Sequence, residues 1–473
     1  MSSPIKILFV SAEVAPFSKA GGLGDVAGSL PAVIRKMGYD IRVITPRYFF
    51  INPANLEIVT DFNLTIGRRN YNFEIFRTNS YNQTPVYFVD NDLFFGSRGG
   101  VYGFSDDALR FYAFQKAVIE ALSKIDWRPD LIHINDWHTA LIPSLLREKK
   151  LKIPTVLTIH NLAFQGGFSA KALRRFGKDN GRKKIKEDAL FLQSINFLKR
   201  GIINATKITT VSPTYRDEVL TPKFGSGLDR ILQKRKRDFL GILNGIDYFI
   251  FDPLTDPNVF VAFDENHLEK RTENKIRLQE FFGLPINPNV PILGVVSRFT
   301  SQKGLGLFLA ILDFLLVLDL QVVIVGEGDE EYTKALRDFV KKQPQKVGAH
   351  LKFDVGIASK IYAGSDIFLM PSRFEPCGLG QLIAMRYGAV PIVHKTGGLA
   401  YTIKDYDRRK KTGNGFVFKF FSPLAFFAAI IQALELYRNR EAWQALVKKN
   451  MKLRFSWDDS AREYLKVYKK LIR

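Results

Sequence analysis

The chain has 473 residues, 46% of them hydrophobic and 25% charged, with a formal net charge of +22 and a single cysteine, Cys377. That length exceeds what one core serves and predicts two or three domains, and the composition is that of a soluble globular protein. One cysteine excludes an internal disulfide framework and a cysteine-cluster metal site, no apolar run is long enough to span a bilayer, and a strand starts too early for a targeting peptide, so a reducing cytoplasm is expected.

The first predicted element is the strand "KILFV" at 6–10. A glycine-rich turn and a helix follow, with Val26, Leu30, Val33, Ile34 and Met37 on one face and Pro31 as a bend. "DIRVITP", "DLIHIND", "IPTVLTIHN" and "KITTVSP" are further short apolar runs closed by polar residues or proline. Their alternation with amphipathic stretches predicts parallel βαβ units.

The pattern pauses at 244–260, where turn residues crowd, and restarts with "VPILGVVSRF", "LQVVIVGEG", "SDIFLMPSRFEP" and "AVPIVHKTGG". Helical segments at 303–318 and 378–388 lie between them. The expected class is α/β: a doubly wound domain over 1–245, a second over 246–455, and a closing helix at 456–473 that crosses back to the first. Leu465, Val467, Tyr468 and Leu471 share a face of that helix. Open parallel sheets bind ligands beyond their carboxyl ends, so two such domains facing each other predict a cleft.

The basic runs at 182–184, 234–237 and 408–411 are scattered and not interleaved with aromatics. They read as solvated surface rather than as a nucleic-acid or membrane-binding module.

Chemistry gathers at the strand ends. In "KAGGLGDV" (19–26), Gly21, Gly22 and Gly24 open a helix, where free amides and the helix dipole suit a phosphate. The spacing is neither a dinucleotide fingerprint nor a Walker loop, and a plain tight turn is the competing reading. "TGGL" (396–399) repeats the device in the second half through Gly397 and Gly398. In "SRFTSQKG" (297–304), Arg298 and Lys303 follow a buried strand, where two cations could neutralise a diphosphate leaving group or simply cap and solvate the turn.

Glu375, in "PSRFEPCGLGQ" (371–381), precedes a glycine-opened helix, where an ionised carboxylate can accept hydrogen bonds from sugar hydroxyls or merely cap. Cys377 has no local histidine to activate it and reads as a small packed residue. His138 and His160 end two successive strands without metal-ligand spacing, so contacts to a sugar suit them better. Trp137 can stack on a sugar or pack in the core.

"KAGGLGDV", "DDALRFYAF", "HINDWHTAL", "TIHNLAFQG", "VSPTYRDEVLTPKFGSGLD", "LNGID", "VSRFTSQKGL", "MPSRFEPCGLGQL" and "TGGL" occur in the order found in glycogen and starch synthases. The chain resembles that family from Ile5 to its last helix. The resemblance implies a retaining glycosyltransferase of the GT-B fold, moving glucose from a nucleotide sugar, usually ADP-glucose, to the non-reducing end of an α-1,4-glucan, with no metal or other cofactor.

It further implies roles for particular residues. Lys19, the Gly21, Gly22 and Gly24 loop and Asp25 line the donor and acceptor cleft. Arg298 and Lys303 bind the diphosphate, and Glu375 contacts the donor glucose beside Cys377, Gly378, Leu379 and Gly380. His160 and Asn244 lie near the transferred sugar, Asp136 and His138 bind substrate, and Thr396, Gly397 and Gly398 complete the phosphate pocket. No carboxylate pair at glycosidase spacing is evident, and the leaving diphosphate can itself take the acceptor proton.

Ile383 stands where related glycosyltransferases carry a second glutamate, which glycogen and starch synthases commonly lack too, so it favours this family over its neighbours. Two features depart from the family pattern: Tyr401 replaces an acidic residue, and "DVGIASKIYAGSD" reads as a shortened stretch without the aromatic that stacks on the base. The donor base therefore stays open between ADP-glucose and UDP-glucose. Another GT-B transferase, a non-catalytic glucan-binding protein and a nucleic-acid-binding protein are the competing readings.

Overall fold

The structure, a computed structural model, describes residues 4–79, 83–169 and 194–472; the basic run at 182–184 lies outside them. The chain divides into two compact units. The first comprises Met1–Val211, Arg216–Leu243 and Trp457–Arg473, the second Ser212–Tyr215 and Asn244–Ser456.

The strands of the first unit are β1 Lys6–Val10, β2 Asp40–Pro46, β3 Glu57–Ile66, β4 Arg69–Asn79, β5 Pro85–Asp90, β6 Leu131–Asn135, β7 Thr155–Ile159, β8 Gly167–Ser169, β9 Ser194–Asn196, β10 Lys207–Thr210 and β11 Phe239–Gly241. Nine form one sheet in the order β11-β10-β7-β6-β1-β2-β5-β4-β3, while β8 and β9 pair separately. From β11 to β5 every pairing is parallel. Ile7, Leu8, Phe9 and Val10 of β1 are all fully buried, as expected for a strand covered on both faces.

The hairpin of β3 and β4, which adds antiparallel pairing at one edge, was not among the expected elements. Its first strand alternates exposed and buried residues through Phe62, Leu64 and Ile66, the pattern of a strand with one wet face.

The helix Gly22–Lys36 follows β1 and carries Pro31 inside it. Val26, Leu30 and Ile34 are buried, while Val33 and Met37 are half-buried. The closing helix Trp457–Ile472 belongs to the first unit and packs against Gly22–Lys36. Leu465, Val467 and Tyr468 are buried and Leu471 half-buried. The Tyr468 hydroxyl meets His133 Nδ1 at 2.6 Å, and Thr158 Oγ1 meets Nε2 at 2.6 Å. Burial lowers the His133 pKa to about 3, so its ring is neutral.

The second unit has one all-parallel sheet of β12 Ile292–Val296, β13 Gln321–Val325, β14 Val347–His350, β15 Ile367–Met370, β16 Val390–His394 and β17 Phe416–Phe418. Its order is β14-β13-β12-β15-β16-β17. Chain direction across the sheet reverses between β12 and β15, as it does between β1 and β6 in the first unit. In open α/β sheets such reversal points are where ligands bind.

Part of the basic charge is structural. The Arg235 guanidinium donates to the carbonyls of Ile202, Ile203 and Ala205, closing the end of the helix Phe197–Asn204, and Arg408 pairs with Glu435 at 2.7 Å. Among the described residues no helix is long and apolar enough to cross a membrane.

Candidate functional site

In the second unit, three loops leave the carboxyl ends of β12, β15 and β16 and clamp one another. The Arg373 amide donates to the Gln302 carbonyl at 2.8 Å, joining "SRFTSQKG" to "PSRFEP". Gly304 has φ +76°, and a Cβ there would sit 2.0 Å from the Pro371 carbonyl oxygen. "TGGL" packs equally close. Its Gly398 amide donates to the Glu375 carbonyl at 3.0 Å, and a Cβ on Gly398 would lie 1.9 Å from the Cys377 oxygen. Gly397, at φ +45°, would place a Cβ 2.0 Å from the Glu375 oxygen. These two glycines are thus required by close backbone packing, whatever else they bind.

The clamped loops bring Lys303 and Glu375 together. Lys303 Nζ donates to Glu375 Oε2 at 2.6 Å, and Ser372 Oγ donates to the same oxygen at 3.0 Å. Glu375 is 6% exposed, so its charge is held by a cation and a hydroxyl rather than by water. Arg298 stands apart: it is exposed, and its guanidinium has no hydrogen bond or ion pair among the described residues.

Cys377 is buried, and burial pushes its thiol up to about 12, which fits a packed residue and not a nucleophile. Asn244 is buried with its side-chain oxygen unpartnered, an acceptor-capable group without a donor. Gly378 takes φ +71°, Leu379 is half-buried, and Gly380 opens the helix Gly380–Arg386. Thr396 stands in extended conformation at the start of the helix Gly397–Thr402.

One sequence expectation needs correction here. The stretch before "IYAGSD" does carry an aromatic: Phe353, 47% exposed, immediately precedes Asp354, whose carboxylate caps the helix Val355–Gly364. Tyr401 is exposed, and Ile383 is buried in the core.

In the first unit, two amides of the glycine loop are already taken from within the protein. Those of Ala20 and Gly21 donate to Glu13 Oε2 at 2.6 and 2.8 Å. Lys19 pairs with Asp25 at 2.7 Å, its side chain 47% exposed. Nothing lies within 4 Å of a Cβ built on Gly21 or Gly22, whereas one on Gly24 would lie 3.1 Å from the Ser18 oxygen. Gly24 is therefore a packing glycine, and Gly21 and Gly22 leave open space.

At the ends of β6 and β7, Asp136 takes φ +54° and its carboxylate accepts from the His160 amide at 2.8 Å. Burial outweighs these bonds and raises the Asp136 pKa to about 7. His160 Nε2 meets Asn135 Oδ1 at 2.9 Å, and burial lowers the His160 pKa to about 3. His138 lies among Trp137, Tyr102 and Phe111, with ring centroids 4.0, 4.7 and 4.7 Å away. Burial holds its pKa well below the ordinary value, and its Nδ1 has no partner. The first unit thus offers neutral imidazoles and aromatics, and the second offers cations.

Glu13, Tyr102, Ser372 and Asn135 are members of these clusters that motif reading passed over. Glu13 left one signal: an acidic residue within the otherwise apolar "AEVAPF" just past a buried strand.

Among the described residues no group of three or more His, Cys, Asp or Glu side chains is arranged to hold a metal ion. Residues 6–234 match the family model "Starch synthase catalytic domain", and residues 277–450 match "Glycosyl transferases group 1". The Glycogen synthase of Desulforudis audaxviator is 45% identical over 98% of this chain and 96% of that one. That of Lactobacillus acidophilus is 44% identical over 99% and 100%. The catalytic domain of Starch Synthase IV from Arabidopsis thaliana, solved bound to ADP and acarbose, superposes with a TM-score of 0.92 at 33% identity, over 99% of this chain and 100% of that one. Sucrose-phosphate synthase from Thermosynechococcus elongatus, at 17% identity and a TM-score of 0.64 over 99% of each chain, shares the fold.

Proposed function

Because the chain belongs to the glycogen and starch synthase family of glycosyltransferases, we propose that it transfers glucose from ADP-glucose to the non-reducing end of an α-1,4-glucan, retaining configuration at the anomeric carbon. The observation that carries this reading is the Lys303–Glu375 pair, together with the unpaired Arg298 in the same stretch of chain as Lys303. When glucose is transferred from a sugar nucleotide the nucleoside diphosphate is the leaving group, and fixed cations lower the barrier most where that charge develops. Lys303 and Arg298 supply them, while Glu375 and Ser372 offer hydrogen-bonding groups for glucose hydroxyls. The departing phosphate oxygen takes the acceptor proton on the face it leaves, so no second carboxylate is needed.

The glucan is assigned to the first unit. Its depressed histidines, His138 and His160, are uncharged at neutral pH and suit a neutral polyol better than an anion. Lys19, Asp25, Asp136 and the open space over Gly21 and Gly22 belong to the same assignment. Asn244, Thr396 and the backbone of Gly378–Gly380 complete the donor side in the second unit. A cytoplasmic setting belongs to the same reading.

For the base, Phe353 offers an exposed ring, and the Arabidopsis relative was solved with ADP. UDP-glucose is the second reading, since a phenyl face stacks on either base. Calorimetric titration with ADP, UDP and a single-stranded oligonucleotide separates the readings. ADP is expected to bind most tightly; binding of the oligonucleotide alone would overturn the proposal.

A further inference from the structure

Glu13 is a buried carboxylate that no motif assigns. It follows β1 and is 3% exposed, a position where an unpartnered charge is strongly unfavourable. Its partners are all neutral. Oε2 accepts from the amides of Ala20 and Gly21 at 2.6 and 2.8 Å, and Oε1 accepts from the Tyr102 hydroxyl at 2.6 Å. Among the described residues no lysine or arginine pairs with it. Burial and the Glu13 charge push the Tyr102 phenol well above its ordinary range, so it stays a donor.

The contacts connect three separate places in the chain. One carboxylate oxygen holds the first turn of "KAGGLGD", between Lys19 and the open Gly21–Gly22 backbone. The other holds Tyr102, whose ring stacks on His138 at 4.7 Å with 26° between the planes. Bonds to an ionised acceptor are shorter and about twice as strong as neutral ones, so the charge itself is what stiffens the arrangement.

We infer that Glu13 is a positioning residue for the transfer reaction: its ionised carboxylate fixes the glycine loop and, through Tyr102, the His138 ring in one arrangement. The inference rests on the glucan-transfer reading for its catalytic consequence, though not for its structural one. Charge loss then slows turnover without emptying the donor site, because every group Glu13 touches lies in the first unit.

The test compares Glu13→Gln, Tyr102→Phe and their combination in the full chain. Glutamine keeps the shape and can still accept from Ala20 and Gly21, but the bonds become neutral. Glu13→Gln is expected to melt close to the parent and to exchange the Ala20 and Gly21 amides about tenfold faster. It should lower kcat by about tenfold or more with ADP affinity unchanged. Tyr102→Phe should lower kcat less, and the double variant should be no slower than Glu13→Gln, since both act through one carboxylate. Parental amide exchange in Glu13→Gln overturns the inference even if the enzyme proves inactive on every nucleotide sugar, an outcome that defeats only the function proposed above. Parental kcat in a folded Glu13→Gln, or a kcat loss that merely follows the unfolded fraction, also overturns it.

Discussion

Lys303 and Glu375 are 72 residues apart in the chain and 2.6 Å apart in space. Each neutralises the other within the second unit, on two of three loops that hold one another through their backbones. Removing either partner strands a charge. Glu375→Gln and Lys303→Met are expected to fold and to lose about 10²–10³-fold in kcat, the scale seen when one preorganised charge-stabilising group is removed. Steady-state rates beside circular dichroism check this. Full activity in both variants would remove the pair from the mechanism.

Arg298 makes the opposite prediction about stability. It is exposed and unpaired, so Arg298→Ala should change stability by no more than about 0.5 kcal/mol. Nucleotide binding should nevertheless weaken, measurable as a loss of ADP affinity by calorimetry. Unchanged ADP affinity would return Arg298 to the solvated surface.

The glycines divide into two classes that thermal melts can separate. Gly398→Ala would drive a Cβ to within 1.9 Å of the Cys377 oxygen and should destabilise the protein by about 1–3 kcal/mol. Gly21→Ala meets no protein atom within 4 Å, so it should melt like the parent and lose activity by filling space the substrate needs. Parental activity in a stable Gly21→Ala would leave that space without a role.

The pH dependence of stability follows from four buried groups. His133 and His160 have pKa values near 3 when folded, and His138 lies well below its ordinary value. Unfolded histidines titrate near 6.5, so the unfolded chain binds more protons below that pH and stability falls as pH drops from about 6.5 towards 3. Asp136 opposes this: raised to about 7, it holds a proton in the folded state that the unfolded chain releases above about 4. Three histidines against one aspartate leave stability rising with pH from about 4 to 6.5. Chemical denaturation across that range checks the sign, and His133→Gln should flatten the slope. A parent more stable at pH 4.5 than at pH 6.5 would contradict the assignment.

The parallel core was legible because doubly covered strands such as β1 and β13 are continuous apolar runs. The β3–β4 hairpin was not, since Asp61, Asn63 and Thr65 dilute the apolar signal on its wet face. The residues of the second-unit cluster were named from their motifs, but their pairing was hidden. It depends on β12 lying beside β15 while β13 and β14 intervene in sequence. The glycine loops were read for their amides alone. For "TGGL" the close approach to Glu375 and Cys377 explains the residue type, and for "KAGGLGD" an internal carboxylate already takes two of the amides.

Transfer of labelled glucose to glycogen from ADP-glucose and, separately, from UDP-glucose tests the central claim most directly. The account predicts incorporation chiefly from ADP-glucose, in a product that α-1,4-specific amylases release again. Incorporation from neither donor, or a labelled product that those amylases leave intact, would contradict it.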